Sequence, residues 1–348
     1  MIDPRAVALD KMLAAHPELL EGVARIVIFR AVYGHYVTRF KPARCCIHQT
    51  FKPDAEPWLQ AGYDLDVPGD SPADVAIVFA TKYREETLSQ IALAVGQLRE
   101  GGVLIVTAAN ELGAPSLERR CRDLLGSVAS CSKRKCRVIR GSRDSARLNT
   151  SMLNTWLNGT GYHPVADSGL LACSGVFSAR TIDPGSRLLA ACLPATLQGC
   201  GADFGAGYGY LSHHVLSHNP GIRQWHLFEA ENRALEAARL NLTAMNLPVE
   251  LQYHWCNLLN DPGVTRANPE RFDCIVMNPP FHSGKASRPE LGQAFIRSAV
   301  ARLKPGAPLY LVANRHLPYE DTLNGLGLRS ECLAVADGYK VILARHGK

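Results

Sequence analysis

The chain has 348 residues, 47% of them apolar and 20% charged, with a formal net charge of +6. That length exceeds one ordinary core and implies two domains, and the composition is that of a globular rather than a disordered protein. No apolar run reaches the roughly 18 to 20 residues of a membrane span, and the mild basicity is compatible with an RNA partner without requiring one.

The N-terminal stretch MIDPRAVALDKMLAAHPELL reads as an amphipathic helix. It mixes acids with its bases and lacks the apolar centre of a secretory signal, so a cytoplasmic protein is expected. DVAIVF, residues 74–79, is a strand, followed by a helix and then by the strand of REGGVLIVTAAN. Next, SKRKCRVIRGSR gathers Lys133, Arg134, Lys135, Arg137, Arg140 and Arg143. Such a run is either a solvated edge guarded by its charge or a patch that contacts phosphates. The eleven cysteines are scattered, and no C-x-x-C pair is backed by a second pair or by histidines. Reduced thiols and no metal are therefore expected. SRDSARLNTSMLNTWLNGTGYH loses periodicity and marks a boundary, giving domains at 1–152 and 153–348.

Beyond about residue 185, strands and helices alternate. LQGCGADFG, RQWHLFEAE, VELQYHWCN, FDCIVMNPP and APLYLVAN read as strands, and GYLSHHVLSHN, NRALEAARLNLTAMN and AFIRSAVARLKPG as helices. That alternation implies a parallel sheet covered on both faces. The first half echoes the second. DVAIVF resembles DCIVM, and REGGVLIVTAAN resembles KPGAPLYLVAN, each after a helix. Asp74 and Gly102 are 28 positions apart, Asp273 and Gly306 are 33 apart, and the extra residues fall at MNPPFHSGKASR. Two tandem Rossmann-like α/β domains, one a duplicate of the other, account for this. The first copy has no glycine-rich loop before DVAIVF, so it is expected to be degenerate and the C-terminal copy catalytic.

ADFGAGYGYLS sets Gly205, Gly207 and Gly209 between a strand and a helix, where glycine lets the backbone turn tightly and approach a ligand. A dinucleotide fingerprint needs glycine at 210, which is Tyr210 here, and Asp203 at the strand end would repel a phosphate. The pattern D-x-G-x-G-x-G resembles instead the loop of class I S-adenosylmethionine-dependent methyltransferases. The resemblance places Asp203, Gly205, Ala206 and Gly207 at that cofactor, with Asp203 toward its cationic methionyl end. Glu229, twenty residues after Gly209, ends the next strand and is expected to accept both ribose hydroxyls. Asn257, ending YHWCN, is expected to hydrogen-bond the adenine.

MNPPFH ends the fourth strand of this half with two prolines, which remove two backbone donors. Asn278-Pro279-Pro280-Phe281 resembles the [DNS]-P-P-[FYW] motif of amino-methyltransferases. An exocyclic amine on a base is a weak nucleophile because its lone pair is spread into the ring. The Asn278 side-chain oxygen and the Pro279 carbonyl can accept its two N–H bonds, which favours the pyramidal nitrogen and strengthens as charge develops there. Phe281 offers a face for the base, which must be unpaired or flipped out. Asn278 also borders the cofactor. His282, Lys285 and Arg288 follow and, with Lys133, Arg134, Lys135 and Arg137, are the expected RNA contacts.

The four-residue motif alone leaves adenine N6, guanine N2 and a protein glutamine open. SGVFSARTIDPGSRLLAACLP (174–194), NPPFHSG (278–284) and VANRHLPY (312–319) resemble the bacterial ribosomal RNA guanine-N2 methyltransferases of the RsmC and RlmG type. The resemblance implies methylation of a guanine N2 in ribosomal RNA, in the small subunit for the RsmC branch, with a first domain that supports RNA binding or folding; a monomer is expected. The loop DFGAGYG departs from the D-V-G-C-G-x-G commoner in that family but retains its glycines.

Overall fold

The computed structural model describes residues 3–65, 72–260, 271–280, 282–283, 286–287 and 289–346. The chain divides into two compact units, Met1–Gly161 and Tyr162–Lys348. The division falls beyond the expected 152/153 because α5 (below) spans that point and buries Trp156 in the first unit's core.

The first unit opens with α1 (Pro4–Ala15), β1 (Ile26–Phe29), β2 (Cys45–His48), α2 (Lys52–Gln60) and β3 (Ala73–Phe79). It continues with α3 (Arg84–Gln97), β4 (Leu98–Ala109), α4 (Ala114–Leu125), β5 (Ala129–Lys133), β6 (Cys136–Ser142) and α5 (Thr150–Asn158). The second unit begins with β7 (Tyr162–Pro164), β8 (Leu171–Cys173), α6 (Pro184–Cys192), β9 (Gln198–Phe204), α7 (Tyr210–His218) and β10 (Gly221–Glu229). Then come α8 (Asn232–Thr243), β11 (Glu250–Trp255), β12 (Cys274–Met277), β13 (His282–Ser283), β14 (Ala286–Ser287) and α9 (Pro289–Val300). β15 (Leu309–Asn314), α10 (Tyr319–Gly325), β16 (Leu328–Ala336) and β17 (Tyr339–His346) complete it.

The central strands IVIF, ADVAIVF and CIVM are continuous β-branched and aliphatic runs, buried along almost their whole length. That is the pattern of parallel strands with both faces covered. The sheet orders are β2-β1-β3-β4-β6-β5 and β11-β10-β9-β12-β15-β17-β16. Aligned from the last two strands, six of the seven positions coincide, and a single parallel bridge from Ile47 to Leu65 stands where β11 would pair. The expected parallel sheet is thus completed in each unit by an antiparallel edge, β4-β6-β5 and β15-β17-β16.

Strand registers extend the correspondence to single residues. Phe79 pairs with Thr107, three residues before Asn110, as Met277 pairs with Leu311, three before Asn314. Ala80 therefore occupies the place of Asn278. The turn after β1 reads RAVYG in place of three glycines, and Arg30 takes a left-handed φ of 51° there. Its guanidinium pairs with Glu86 at 3.2 Å, a carboxylate only 1% exposed that also accepts the Thr81 hydroxyl at 2.7 Å. Gln49 and Trp58 both donate to the Ala31 carbonyl of the same turn. The turn that corresponds to the glycine loop is thus held by a buried ion pair and by side-chain donors to its own carbonyl. Removing one member of a buried pair leaves an uncompensated charge. Arg30→Ala should therefore destabilise the protein by about 3 to 5 kcal/mol in chemical denaturation, and a change below about 1 kcal/mol would contradict that packing.

Candidate active site

In the second unit β9 lies between β10 and β12, and the chain leaves β9 toward β10. This is the point where strand order reverses, and it opens a crevice at the carboxyl ends of the strands. The loop after β9 crosses it with Gly205, Gly207 and Gly209 at φ of 79°, 56° and 88°. Gly205 and Ala206 donate their N–H groups to the Phe228 carbonyl at 2.8 and 3.1 Å, which ties the loop to β10. A Cβ at Gly207 would meet nothing within 4 Å among the described residues. At Gly209 it would stand 3.0 Å from the Ala238 Cβ, so that glycine lets α8 pack close. Asn241 of α8 secures the loop from outside by donating to the Tyr208 carbonyl at 2.8 Å.

Glu229 ends β10 beneath the loop. Its Oε2 accepts the Gly207 N–H at 2.8 Å, and its Oε1 accepts those of Ala230 and Glu231 at 2.8 and 2.9 Å. A carboxylate has about four lone-pair sites, so one remains, on Oε2. The bidentate grip on a ribose expected from the sequence is thereby reduced to one direct acceptor, unless the Gly207 bond yields. Burial pushes the Glu229 carboxyl up from its ordinary range. Asn257 lies two residues past β11, 8% exposed, with its Oδ1 accepting the Leu259 N–H at 3.2 Å.

Asp203 corrects the sequence expectation. It is wholly buried, on the face of β9 that α7 covers, so it does not reach the surface of the crevice. Its Oδ2 accepts the Ser212 hydroxyl at 2.7 Å, and Ser212 Oγ in turn accepts the Trp225 indole N–H at 2.9 Å. Oδ1 has no hydrogen-bond partner among the described residues. Burial raises its carboxyl to about 7, and the neighbouring Glu229 charge adds to the rise. The Glu229 carboxyl held directly beneath the loop disfavours a phosphate there. The site therefore fits a sulfonium cofactor with a free amino group better than a pyrophosphate.

Asn278 sits immediately after β12, half-buried. Its Nδ2 donates to Asp183 Oδ2 at 2.9 Å and to Ser186 Oγ at 2.8 Å. Asp183 is the N-cap of α6 and accepts the Ser186 backbone N–H through the same oxygen at 2.8 Å. A carboxylate only accepts, so the amide nitrogen must face it and the amide oxygen is left to serve as an acceptor. A Cβ on Gly205 would lie 3.9 Å from the Asn278 carbonyl oxygen and 3.6 Å from Phe295 Cε1 of α9. Glycine loop, Asn278 and Phe295 thus line one place. Pro279 is buried beside it. Phe281, Lys285 and Arg288 lie outside the described residues, and of His282 only the backbone, in β13, is described. Sequence reasoning missed Asp183, Ser186 and Phe295. For Asp183 the available signal was an Asp-Pro pair opening a helix, which Asp3-Pro4 repeats at α1.

The basic cluster resolves into separate parts. Lys133, Arg134 and Lys135 are exposed at the tip of the β5–β6 hairpin and make no ion pair among the described residues. Arg134 and Lys135 have φ of 53° and 58°, the two-residue turn that Asn-Gly usually makes. Arg137, expected to contact RNA, is instead half-buried, with its Nη1 2.5 Å from Glu118 Oε2. Arg143 donates to the carbonyls of Val95 and Leu98 and closes the end of α3. Among the described residues no disulfide joins two cysteines. Among the described residues no three His, Cys, Asp or Glu side chains gather to hold a metal, and no helix is long and apolar enough to cross a membrane.

Residues 168–343 match the family model for the Methyltransferase small domain, and residues 41–159 that for the Methyltransferase small domain N-terminal. The chain is 27% identical over 329 residues to a Ribosomal RNA small subunit methyltransferase C of Shewanella loihica, covering 94% of this chain and 90% of that one. With the Yersinia pseudotuberculosis protein of the same name it shares 29% over 275 residues, 79% of this chain and 75% of that one. A solved structure, T. thermophilus 16S rRNA N2 G1207 methyltransferase (RsmC) in complex with AdoMet and guanosine, is similar with a TM-score of 0.81 at 23% identity. That match covers 99% of this chain and 92% of that one.

The Asp203 carboxyl has a testable consequence for stability. Its folded value of about 7 stands above the ordinary 3.8, so the folded state keeps a proton that the unfolded chain has released. The contribution of this carboxyl to stability therefore falls as pH rises from about 4 to about 7. Asp203→Asn should flatten that fall by on the order of 1 to 3 kcal/mol, and Glu229, raised in the same sense, should leave part of it. Denaturation midpoints taken across this range check it, and an unaltered slope would contradict it.

Proposed function

The chain belongs to the methyltransferase small domain family, and from that premise we propose that it transfers a methyl group from S-adenosylmethionine to the exocyclic N2 amine of a guanine in 16S ribosomal RNA. The observation that carries this reading is the Asn278 amide, held with its nitrogen on Asp183 and Ser186 so that Oδ1 faces a substrate as an acceptor. When bound, S-adenosylmethionine supplies a methyl group on a sulfonium, whose C–S electron pair stays with sulfur as the methyl leaves. The glycine loop would hold it through the open Gly207 backbone, Glu229 would accept from a ribose hydroxyl, and Asn257 would meet the adenine.

The chain's own contribution is to present the amine. Asn278 Oδ1 and the Pro279 carbonyl accept its two N–H bonds, which favours the pyramidal nitrogen and localises on it the lone pair otherwise spread into the ring. These bonds strengthen as the nitrogen gains the new N–C bond and becomes cationic, so they favour the transition state over the bound substrate. The nitrogen then loses one proton to water, and no strong base is needed. Phe281 is assigned to stacking on the flipped base, and His282, Lys285 and Arg288 to the flanking phosphates. Guanine in the small subunit is favoured over adenine N6 or a glutamine by the names of the relatives and by the guanosine in the T. thermophilus complex. The first unit is assigned an RNA-gripping role through Lys133, Arg134 and Lys135, with Arg137 bracing their hairpin. The reaction belongs in the cytoplasm, where ribosomal subunits are.

The direct test is transfer of labelled methyl to unmodified small subunits, large subunits and their naked RNAs, followed by nucleoside digestion. N2-methylguanosine in small-subunit RNA alone is expected; label in large-subunit RNA, in adenine or in protein would overturn the assignment. Asn278→Ala should lower turnover about 10²- to 10³-fold while cofactor affinity stays within about threefold. Replacing Lys133, Arg134 and Lys135 with alanine should flatten the salt dependence of RNA binding by about 0.7 to 0.9 in log–log slope for each phosphate no longer neutralised. An unchanged slope would return the hairpin to the role of a solvated edge.

A further inference from the structure

We propose that Asp183 is a positioning residue for methyl transfer, acting through Asn278; this rests on the methyltransferase reading of the site. Asp183 is 8% exposed and one oxygen, Oδ2, does two things at once. It caps α6 through the Ser186 N–H at 2.8 Å and takes one Asn278 amide hydrogen at 2.9 Å. Ser186 Oγ takes the other at 2.8 Å. With both hydrogens engaged, rotating the amide by half a turn would bring its oxygen against a carboxylate, so one orientation is enforced. The negative charge behind the NH₂ group also draws the amide dipole toward its oxygen. Oδ1 becomes a stronger acceptor on the side where the substrate nitrogen turns cationic.

The first unit offers an independent comparison within the same chain. Asp3-Pro4 opens α1 as Asp183-Pro184 opens α6, and Asp3 likewise caps its helix, by accepting the Arg5 N–H at 2.8 Å. There the residue in the place of Asn278 is Ala80, with no amide to hold. The Asp3 carboxylate instead holds the Arg5 guanidinium, at 2.7 Å to Nη2, and Arg5 Nη1 donates to the Ala80 carbonyl at 2.7 Å. Where the amide is gone, the cap has acquired a cation that closes the strand end. Helix capping alone therefore does not require the carboxylate to reach the end of the fourth strand; in the second unit that reach serves Asn278.

Asp183→Asn keeps an oxygen that can cap α6, since asparagine caps helices about as well as aspartate. The substitution removes the negative charge behind the Asn278 amide and, by adding an NH₂ group of its own, the demand that only the amide nitrogen face it. It should lower kcat about 10- to 100-fold with the melting temperature and the cofactor Kd nearly unchanged. In an Asn278→Ala background the same substitution should cost nothing further, since a residue acting through the amide has nothing left to act on. Ser186→Ala, which keeps the backbone cap, should show a smaller loss of the same kind and serves if Asp183→Asn fails to fold. Full kcat in Asp183→Asn, or a loss that multiplies undiminished with Asn278→Ala, would overturn the positioning role. If the unaltered protein methylates no ribosomal RNA, the reading of the site fails instead, and that is seen before any variant is made.

Discussion

Both hydrogens of the Asn278 amide are engaged, one by Asp183 and one by Ser186, and this fixes the only polar group that the side chain can turn toward a substrate. The arrangement needs three things from the fold. β12 must end beside β9, so that the amide stands next to the glycine loop. α6 must begin at that end of the sheet, which its Asp-Pro start ensures by capping the first turn. The strand must stop abruptly, and two prolines without N–H groups stop it.

The duplicated first unit shows how little must change to close such a site. It keeps six strands in the same order, the Asp-Pro helix start and the antiparallel edge. The glycine loop is replaced by RAVYG, whose Arg30 is drawn into a buried pair with Glu86, and the acceptor amide by Ala80. Arg30 and Arg5 place protein charges at these two positions, each paired with a carboxylate.

Much of this was legible in the sequence. The glycine loop, Glu229 and Asn278 are readable because each sits at a strand end inside a short local pattern. The duplication shows in two strands and their spacing. What stayed hidden depended on distance or direction. Asp183 meets Asn278 across 95 positions, which no local pattern encodes. Asp203 lies in the expected motif, yet side chains alternate along a strand and this one points beneath α7 rather than into the crevice. Arg137 is indistinguishable in composition from Lys135 two residues away, but that alternation sets it against Glu118 while Lys135 sits in the exposed turn. The antiparallel edge escaped the strand–helix alternation because β16 and β17 follow one another without a helix between them.

The central claim is that Asn278 presents a fixed acceptor to the target amine. A high-resolution crystal structure of the protein with a non-reactive cofactor analogue and guanosine tests it most directly. The account predicts guanine N2 about 2.7 to 3.2 Å from Asn278 Oδ1, with Nδ2 still on Asp183 and Ser186. Guanine N2 bound away from Oδ1, or an amide turned to place its nitrogen toward the base, would contradict it.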